Sequence, residues 1–305
     1  MPSHKLKVFD LFSGIGGFSK GLEQTGLFET VGFCEIEPYC QQVIKKHWPH
    51  VKIFDDIKSL SNKTPELSGI DVLCGGFPCQ DISIAGKGKG ITGERSGLWQ
   101  EYKRVINEVR PKYAIIENVS ALLGRGLETV LQDLAEIGYD ATYTTFDSQF
   151  FGVPQRRRRV YILAVRDGIL PESDIFELGK RDSEQLGREM AAIKEGSEWN
   201  FTQRDRKQYS FAYFTRQRSD QYSCCGVSGT LAKRDYKSYT DLVVDNHGVR
   251  RVTPQERMLL QGLPADWLDG CGLTNMQMFL CNGMTVPVVS YIGNRLYEYN
   301  QTARI

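Results

Sequence analysis

The sequence predicts an α/β protein, with a mostly parallel sheet covered by helices on both faces and a smaller insert late in the chain. Three observations predict this. Over residues 6–165, short apolar runs alternate with amphipathic segments of helical spacing, the pattern of strands joined by crossover helices. A glycine-rich turn sits where the first strand meets the first helix. Residues 166–249 then turn polar, charged and aromatic, with helical spacing only at about 183–195, before patterned sequence returns.

The elements follow in order. LKVFDLF (6–12) reads as a buried strand, SGIGG (13–17) as the turn, and the next residues as a helix through about Gln24. TVGFCE (30–35) is a second strand and PYCQQVIKKHW (38–48) a helix opened by its proline. KIFDD (52–56) is a short third strand, and GIDVLCGG (69–76) a fourth that ends in a glycine pair. LWQEYKRVINEV (98–109) is a helix, KYAIIENV (112–119) a fifth strand and LETVLQDLAEI (127–137) a helix. DATYTTF (140–146) and RVYILAV (159–165) are further strands. The insert reads as irregular and β structure. After it, TPQERMLLQG (253–262) carries a helix with Thr253 as N-cap, Pro254 in the first turn and Glu256 closing a capping box. VPVVSYIGNRLYEY (286–299) is a C-terminal helix. The division expected is 1–165, 166–272 and 273–305, the last segment completing the first domain.

Composition narrows the function classes. The 305 residues have room for one large domain or two modest ones. No apolar stretch at the N-terminus is long enough for a signal peptide or membrane span, so a cytosolic location is the default. Eight cysteines without a CxxC pair, and four histidines, form no zinc pattern. Reduced, mostly buried thiols are expected. The net charge of +1 does not mark a nucleic-acid binder. Charge is local, however. Residues 156–159 are four arginines, and from Arg204 to Lys237 eight Lys/Arg stand against three Asp, a net of +5. Such a stretch is either a docking face for phosphates or a solvated surface.

Ligands of parallel sheets sit at the carboxyl ends of the strands, and the motifs that carry chemistry lie there. In DLFSGIGGF (10–18) the glycines let backbone approach a ligand, and the helix N-terminus offers N–H groups. Asp10 is placed to meet a cationic amino group. Glu35 ends the second strand about 20 residues later, the position of a ribose-binding acid or of a strand cap. Ile36 is placed to cover an adenine face, and Asp56 to reach its edge. GGFPCQDIS (75–83) follows the fourth strand; Pro78 and the glycines make an exposed turn that presents Cys79, as a structural thiol or as a nucleophile. Glu117 in ENV (117–119) ends the fifth strand, beside the fourth, as a satisfied carboxylate or as an acid. AGKGKGITGERSG (85–97) is a mobile lid or a surface loop.

Together these pieces resemble the DNA cytosine-5 methyltransferase family. DLFSGIGGF, CEIEPY, DDI, GGFPCQDISIAG, ENV, GVPQRRRRVYI, RRVTPQERMLLQGLP and CNGMTVPVV occur in the family's order and spacing. The resemblance covers the chain except the middle of the insert. It implies a Rossmann-like S-adenosylmethionine-dependent methyltransferase domain, a small inserted target-recognition domain, and a C-terminal helix returning to the large domain. It makes Cys79 the nucleophile at C6 of the target cytosine and Glu117 the group that bonds the exocyclic amine and protonates N3. Arg157 matches the arginine that holds the cytosine O2, and Arg159 the one that supports the cysteine loop. Cofactor contacts carry over to Phe12, Gly14, Gly16, Glu35, Ile36, Asp56, Ile57, Pro78, Leu98 and Asn282.

For DNA, Lys87, Lys89 and Arg95 are placed on the backbone, Ser83 beside the flanking bases, and Thr230-Leu231 matches a dipeptide of recognition domains. The base is expected to flip out of the duplex. Further implications are no metal, a monomer on double-stranded DNA, a bacterial or phage origin, and either a cognate restriction endonuclease on the same site but not in complex or an enzyme standing alone. A tRNA-modifying branch of the fold usually has a second proline before the cysteine; Phe77-Pro78-Cys79 points to DNA. Intact Cys79, Glu117 and Arg157 argue against a silent DNA-binding relative. One departure stands out: Cys281 replaces the family's usual glycine.

Overall fold

The computed structural model describes residues 4–78, 97–167, 176, 210–214, 222–224, 228–231, 241–245, 248–281 and 283–302. The chain divides into two compact units, one of residues 1–146, 158–177 and 289–305, the other of residues 147–157 and 178–288.

The first unit is built on seven strands: β1 (Leu6–Leu11), β2 (Phe28–Cys34), β3 (Lys52–Phe54), β4 (Val72–Gly76), β5 (Tyr113–Val119), β6 (Tyr139–Asp147) and β7 (Arg158–Arg166). Their order is β3-β2-β1-β4-β5-β7-β6. Strands β1 to β5 pair in parallel, whereas β7 runs antiparallel to β5. The expected, mostly parallel sheet is therefore present. The direction of β7 could not be read from RVYILAV. Val160 to Val165 are all 2% exposed or less, so both faces are apolar, and such a run carries no mark of strand direction.

Helices α1 (Gly17–Glu23), α2 (Pro38–His47), α3 (Gly97–Val109) and α4 (Leu127–Glu136) accompany this sheet. On α3, Trp99, Tyr102, Val105 and Ile106 are buried, which is the helical spacing seen in the sequence. They pack in one core with Leu11, Leu73, Ile116 and Ile162 from the sheet and Val130 and Leu134 from α4. Each such side chain contributes roughly 1.5–3 kcal/mol by leaving water. The buried polar edge of this layer is matched: Trp99 Nε1 and Lys103 Nζ both donate to Asp133 at 2.6 Å.

The second unit contains a four-stranded antiparallel sheet of β8 (Ser210–Phe214), β9 (Tyr222–Cys224), β10 (Asp241–Asp245) and β11 (Gly248–Arg251), ordered β11-β10-β8-β9. The helical spacing at 183–195 lies outside the described residues. Helix α5 (Pro254–Leu260) opens with the expected capping box, and Arg250 forks onto its Glu256 at 2.7 and 2.9 Å. Helix α6 (Asn275–Leu280) was not expected. It carries a second capping box, Thr274 with Gln277, but six residues are too few for a periodic signal.

Helix α7 (Val286–Thr302) closes the chain. Within the first unit, Ser290 donates to the Gly21 carbonyl at 2.8 Å, and Lys112 and Tyr113 donate to Asn300 at 2.7 and 3.0 Å. Among the described residues no helix is long and apolar enough to cross a membrane.

Candidate active site

Strand β1 lies where the sheet order reverses, between β2 and β4, the place where such sheets bind ligands. Its carboxyl end runs into a turn with three left-handed residues: Phe12 (φ 52), Gly14 (φ 56) and Gly16 (φ 81). For a bulky residue such as Phe12 this conformation is strained, at a cost of about 1–3 kcal/mol. The surroundings hold it. Ser13 Oγ donates to the Asp10 carbonyl at 2.6 Å and Ser13 N to the Cys34 carbonyl at 3.1 Å. Gly14 N donates to Glu35 Oε2 at 2.6 Å, and Glu37 N to Glu35 Oε1 at 2.8 Å. Trp48 closes the other side: a Cβ on Gly16 would meet its ring at 2.5 Å.

Two expectations need correction here. Asp10 does not face a ligand. It is 0% exposed, and its Oδ2 accepts from Ser19 N at 3.2 Å and Ser19 Oγ at 2.8 Å, so it anchors the first turn of α1. Burial raises its pKa to about 7, against the lowering effect of the Ser19 bonds. The turn's N–H groups are also not all free for a ligand, since Gly14 is spent on Glu35 and Ser19 on Asp10. Buried backbone donors demand partners, and here acidic side chains supply them.

Around this turn, Ile36 is 69% exposed beside a Glu35 that is 7% exposed. Asp56 caps the next turn, accepting from Lys58 N at 2.9 Å. Ile57 packs into the core, and its carbonyl accepts from Arg104 at 3.1 Å. The ring of Phe12 lies 5.9 Å from that of Tyr102. Leu98 is half-buried and Pro78 exposed. Two cysteines near the edge are chemically quiet. Burial, reinforced by Glu35 and other carboxylates, pushes the Cys34 thiol up to about 12, and burial next to Asp10 raises Cys74 as well. Neither supplies a thiolate at neutral pH.

The neighbouring strand ends carry the second cluster. Gly75 lets β4 approach β1, for a Cβ there would sit 2.4 Å from the Leu11 carbonyl oxygen. Glu117 pairs in register with Gly76 and is 7% exposed. Arg159 on β7 brings Nε to 3.0 Å from Glu117 Oε1, an ion pair without hydrogen-bond alignment. The resemblance gives Arg159 to the cysteine loop, most of which lies outside the described residues; within them Arg159 meets Glu117. Asn118, which the sequence reading passed over, is 2% exposed and donates from Nδ2 to the Phe77 carbonyl at 3.2 Å. It thereby ties the start of Phe77-Pro78 to β5. Its place inside ENV was the available signal.

In the second unit, Arg157 is 7% exposed, with Nη2 donating to the Gly283 carbonyl at 3.1 Å and its N–H to Asp147 at 3.1 Å. Thr230 Oγ1 donates to the Arg156 carbonyl at 2.6 Å. Leu231 is 1% exposed and packs with Val252 and Leu260, so its side chain serves packing. Cys281 is fully buried at the end of α6. Cys79, Ser83, Lys87, Lys89, Arg95 and Asn282 lie outside the described residues. Among those described, no group of His, Cys, Asp or Glu is arranged to hold a metal ion.

Comparison with known proteins places this architecture. The family model for C-5 cytosine-specific DNA methylases matches residues 6–298. The chain is 33% identical to the type II methyltransferase M2.BsuMI of Bacillus subtilis (strain 168), over 96% of this chain and 76% of that protein. It is 30% identical to the type II methyltransferase M1.ScrFI of Lactococcus lactis subsp. cremoris, over 96% and 78%. Among solved structures, the Entamoeba histolytica methyltransferase EhMeth superposes with a TM-score of 0.70 at 18% identity, covering 98% of this chain and 99% of that one.

Proposed function

Since the chain belongs to the C-5 cytosine-specific DNA methylase family and is a DNA (cytosine-5-)-methyltransferase, we propose that it works on a flipped-out cytosine through a covalent bond from Cys79 to C6. The methyl donor is S-adenosylmethionine. The residues present fit that group: an exposed Ile36 follows a braced glycine turn and a buried acid, Glu35. Phe12, Gly14, Gly16, Glu35, Ile36, Asp56, Pro78, Leu98 and Asn282 would hold it, with Ile57 supporting the Asp56 turn from the core. When bound, it supplies the methyl group that ends on C5.

The protein's own residues do the rest. The Cys79 thiolate adds to C6, and the electron pair of the C5–C6 bond becomes available at C5. Glu117 bonds the exocyclic amine and gives a proton to N3, which makes C6 electrophilic. Arg157 holds the cytosine O2, and Arg159 positions the Glu117 carboxyl through the 3.0 Å contact with its Oε1. Once C5 is methylated it loses its proton to a base, the Cys79–C6 bond breaks with its electron pair returning to sulfur, N3 gives its proton back to Glu117, and the ring regains aromaticity. Extracting the base costs a few kcal/mol, offset by phosphate contacts from Lys87, Lys89 and Arg95. Ser83 meets the flanking DNA, and the Thr230-Leu231 dipeptide belongs to the recognition unit. Functionally, residues 1–165 and 273–305 form the catalytic domain and 166–272 choose the target. The protein acts as a cytoplasmic monomer on double-stranded DNA, and a restriction endonuclease of the same specificity is its genetic partner.

The observation that carries this reading is the buried Glu117 beside Arg159, opposite the strand that leads to Phe77-Pro78-Cys79. The experiment is methyl transfer from labelled S-adenosylmethionine to duplex DNA and to tRNA, with Cys79→Ser as control. Label in duplex DNA, lost in Cys79→Ser, supports it. Label in tRNA alone, or full turnover by Cys79→Ser, overturns it.

A further inference from the structure

We propose that Gln261 is a positioning residue for Arg157. The proposal rests on the reading of Arg157 given above. Gln261 is 0% exposed, and all its polar groups are matched within the second unit. Its N–H donates to the Met258 carbonyl at 2.9 Å, and its Nε2 to the Arg257 carbonyl at 3.0 Å. Its carbonyl accepts from Val286 N at 2.9 Å, and its Oε1 from Gly283 N at 2.5 Å. One buried residue therefore grips both ends of the 283–286 segment, Gly283 with its side-chain amide and Val286 with its main-chain carbonyl.

That segment in turn holds Arg157 at two points. The Gly283 carbonyl accepts from the Arg157 guanidinium at 3.1 Å. Thr285 Oγ1 lies 2.8 Å from Ser148 Oγ, which donates to the Arg157 carbonyl at 3.2 Å. The next residue, Gly262, wedges the turn: at φ +79, a Cβ there would meet Pro287 at 2.3 Å. Gln261 touches no reacting atom in this scheme. It fixes the carbonyl that fixes the guanidinium, and a chain of buried hydrogen bonds transmits position well because each member has only one place to go.

The test is a double-mutant cycle on duplex-DNA methylation, with thermal unfolding followed in parallel. Gln261→Met keeps size and removes the acceptor for Gly283; turnover is expected to fall about tenfold. In an Arg157→Lys background, itself impaired, the same change is expected to cost less than about twofold, because the geometry it protected is already lost. Losses that multiply overturn the proposal and leave the role of Arg157 standing. Wild-type turnover by Arg157→Lys alone overturns the reading of Arg157 and with it the proposal. If Gln261→Met does not fold, Gln261→Glu decides. It keeps an oxygen toward Gly283, so turnover within about threefold of wild type supports the proposal and a loss of about tenfold or more overturns it.

Discussion

In the seven-stranded sheet, β4 and β5 are buried on both faces, and the strands bearing the site end in glycines or carboxylates: Gly76 on β4, Glu117 near the end of β5, Glu35 just after β2. In the four-stranded sheet, strands of three to five residues are joined by polar sequence. The first arrangement makes a rigid edge on which a proton donor and a nucleophile keep their geometry. The second consists of short strands in antiparallel pairs. The difference teaches how the proposed function divides: the proposal puts bond making on the edge of the large sheet and choice of target in the second unit.

The largest expected effect breaks the first half alone. Glu117→Gln removes the proton donor and the partner of Arg159, and kcat should fall by about 10²–10⁴-fold while the methylated sequence stays the same. Steady-state kinetics and sequencing of the product check both statements, and a change of target would mean the two halves are not separate. A smaller effect concerns stability under the glycine turn. Asp10 has a folded pKa of about 7, above its ordinary 3.8. The folded state thus holds the proton more tightly than the unfolded chain. Its contribution is fully present below about pH 4 and is lost as pH rises through about 7. Against Asp10→Asn, the wild type should therefore lose a few kcal/mol over that window, read as urea midpoints at several pH values. Parallel curves for the two proteins would contradict it. The smallest effect belongs to the second unit. Thr253→Ala removes the cap of α5 and should cost about 1 kcal/mol, measured by urea unfolding; no loss would mean that the Arg250–Glu256 fork alone holds that helix start.

Much of the large sheet was legible because strand–helix alternation and capping signals are local. LKVFDLF, KYAIIENV and the Thr253 capping box all appear where their residues place them. Glu117 could be set beside β4 from strand order alone. What could not be read was how polar groups are spent. Asp10 and Glu35 look alike as strand-end acids, yet one is sealed under Ser19 and the other grips Gly14. Arg159 and Arg157 share one run of four arginines, but Arg159 lies on β7 and meets Glu117 whereas Arg157 precedes the strand and meets the Gly283 carbonyl, and only the fold shows which does which. Gln261 went unnoticed because a buried amide matched by backbone has no sequence signature, whereas Asn118 had its place inside ENV as a signal.

The central claim is the attack of Cys79 on C6, and one measurement meets it most directly. Duplex DNA with 5-fluorocytosine at the target, incubated with enzyme and S-adenosylmethionine, should give a denaturation-resistant adduct, and peptide mapping should place it on Cys79, because fluorine cannot leave C5 as a proton does. An enzyme that methylates ordinary DNA yet forms no adduct, or forms it on another residue, would contradict the account.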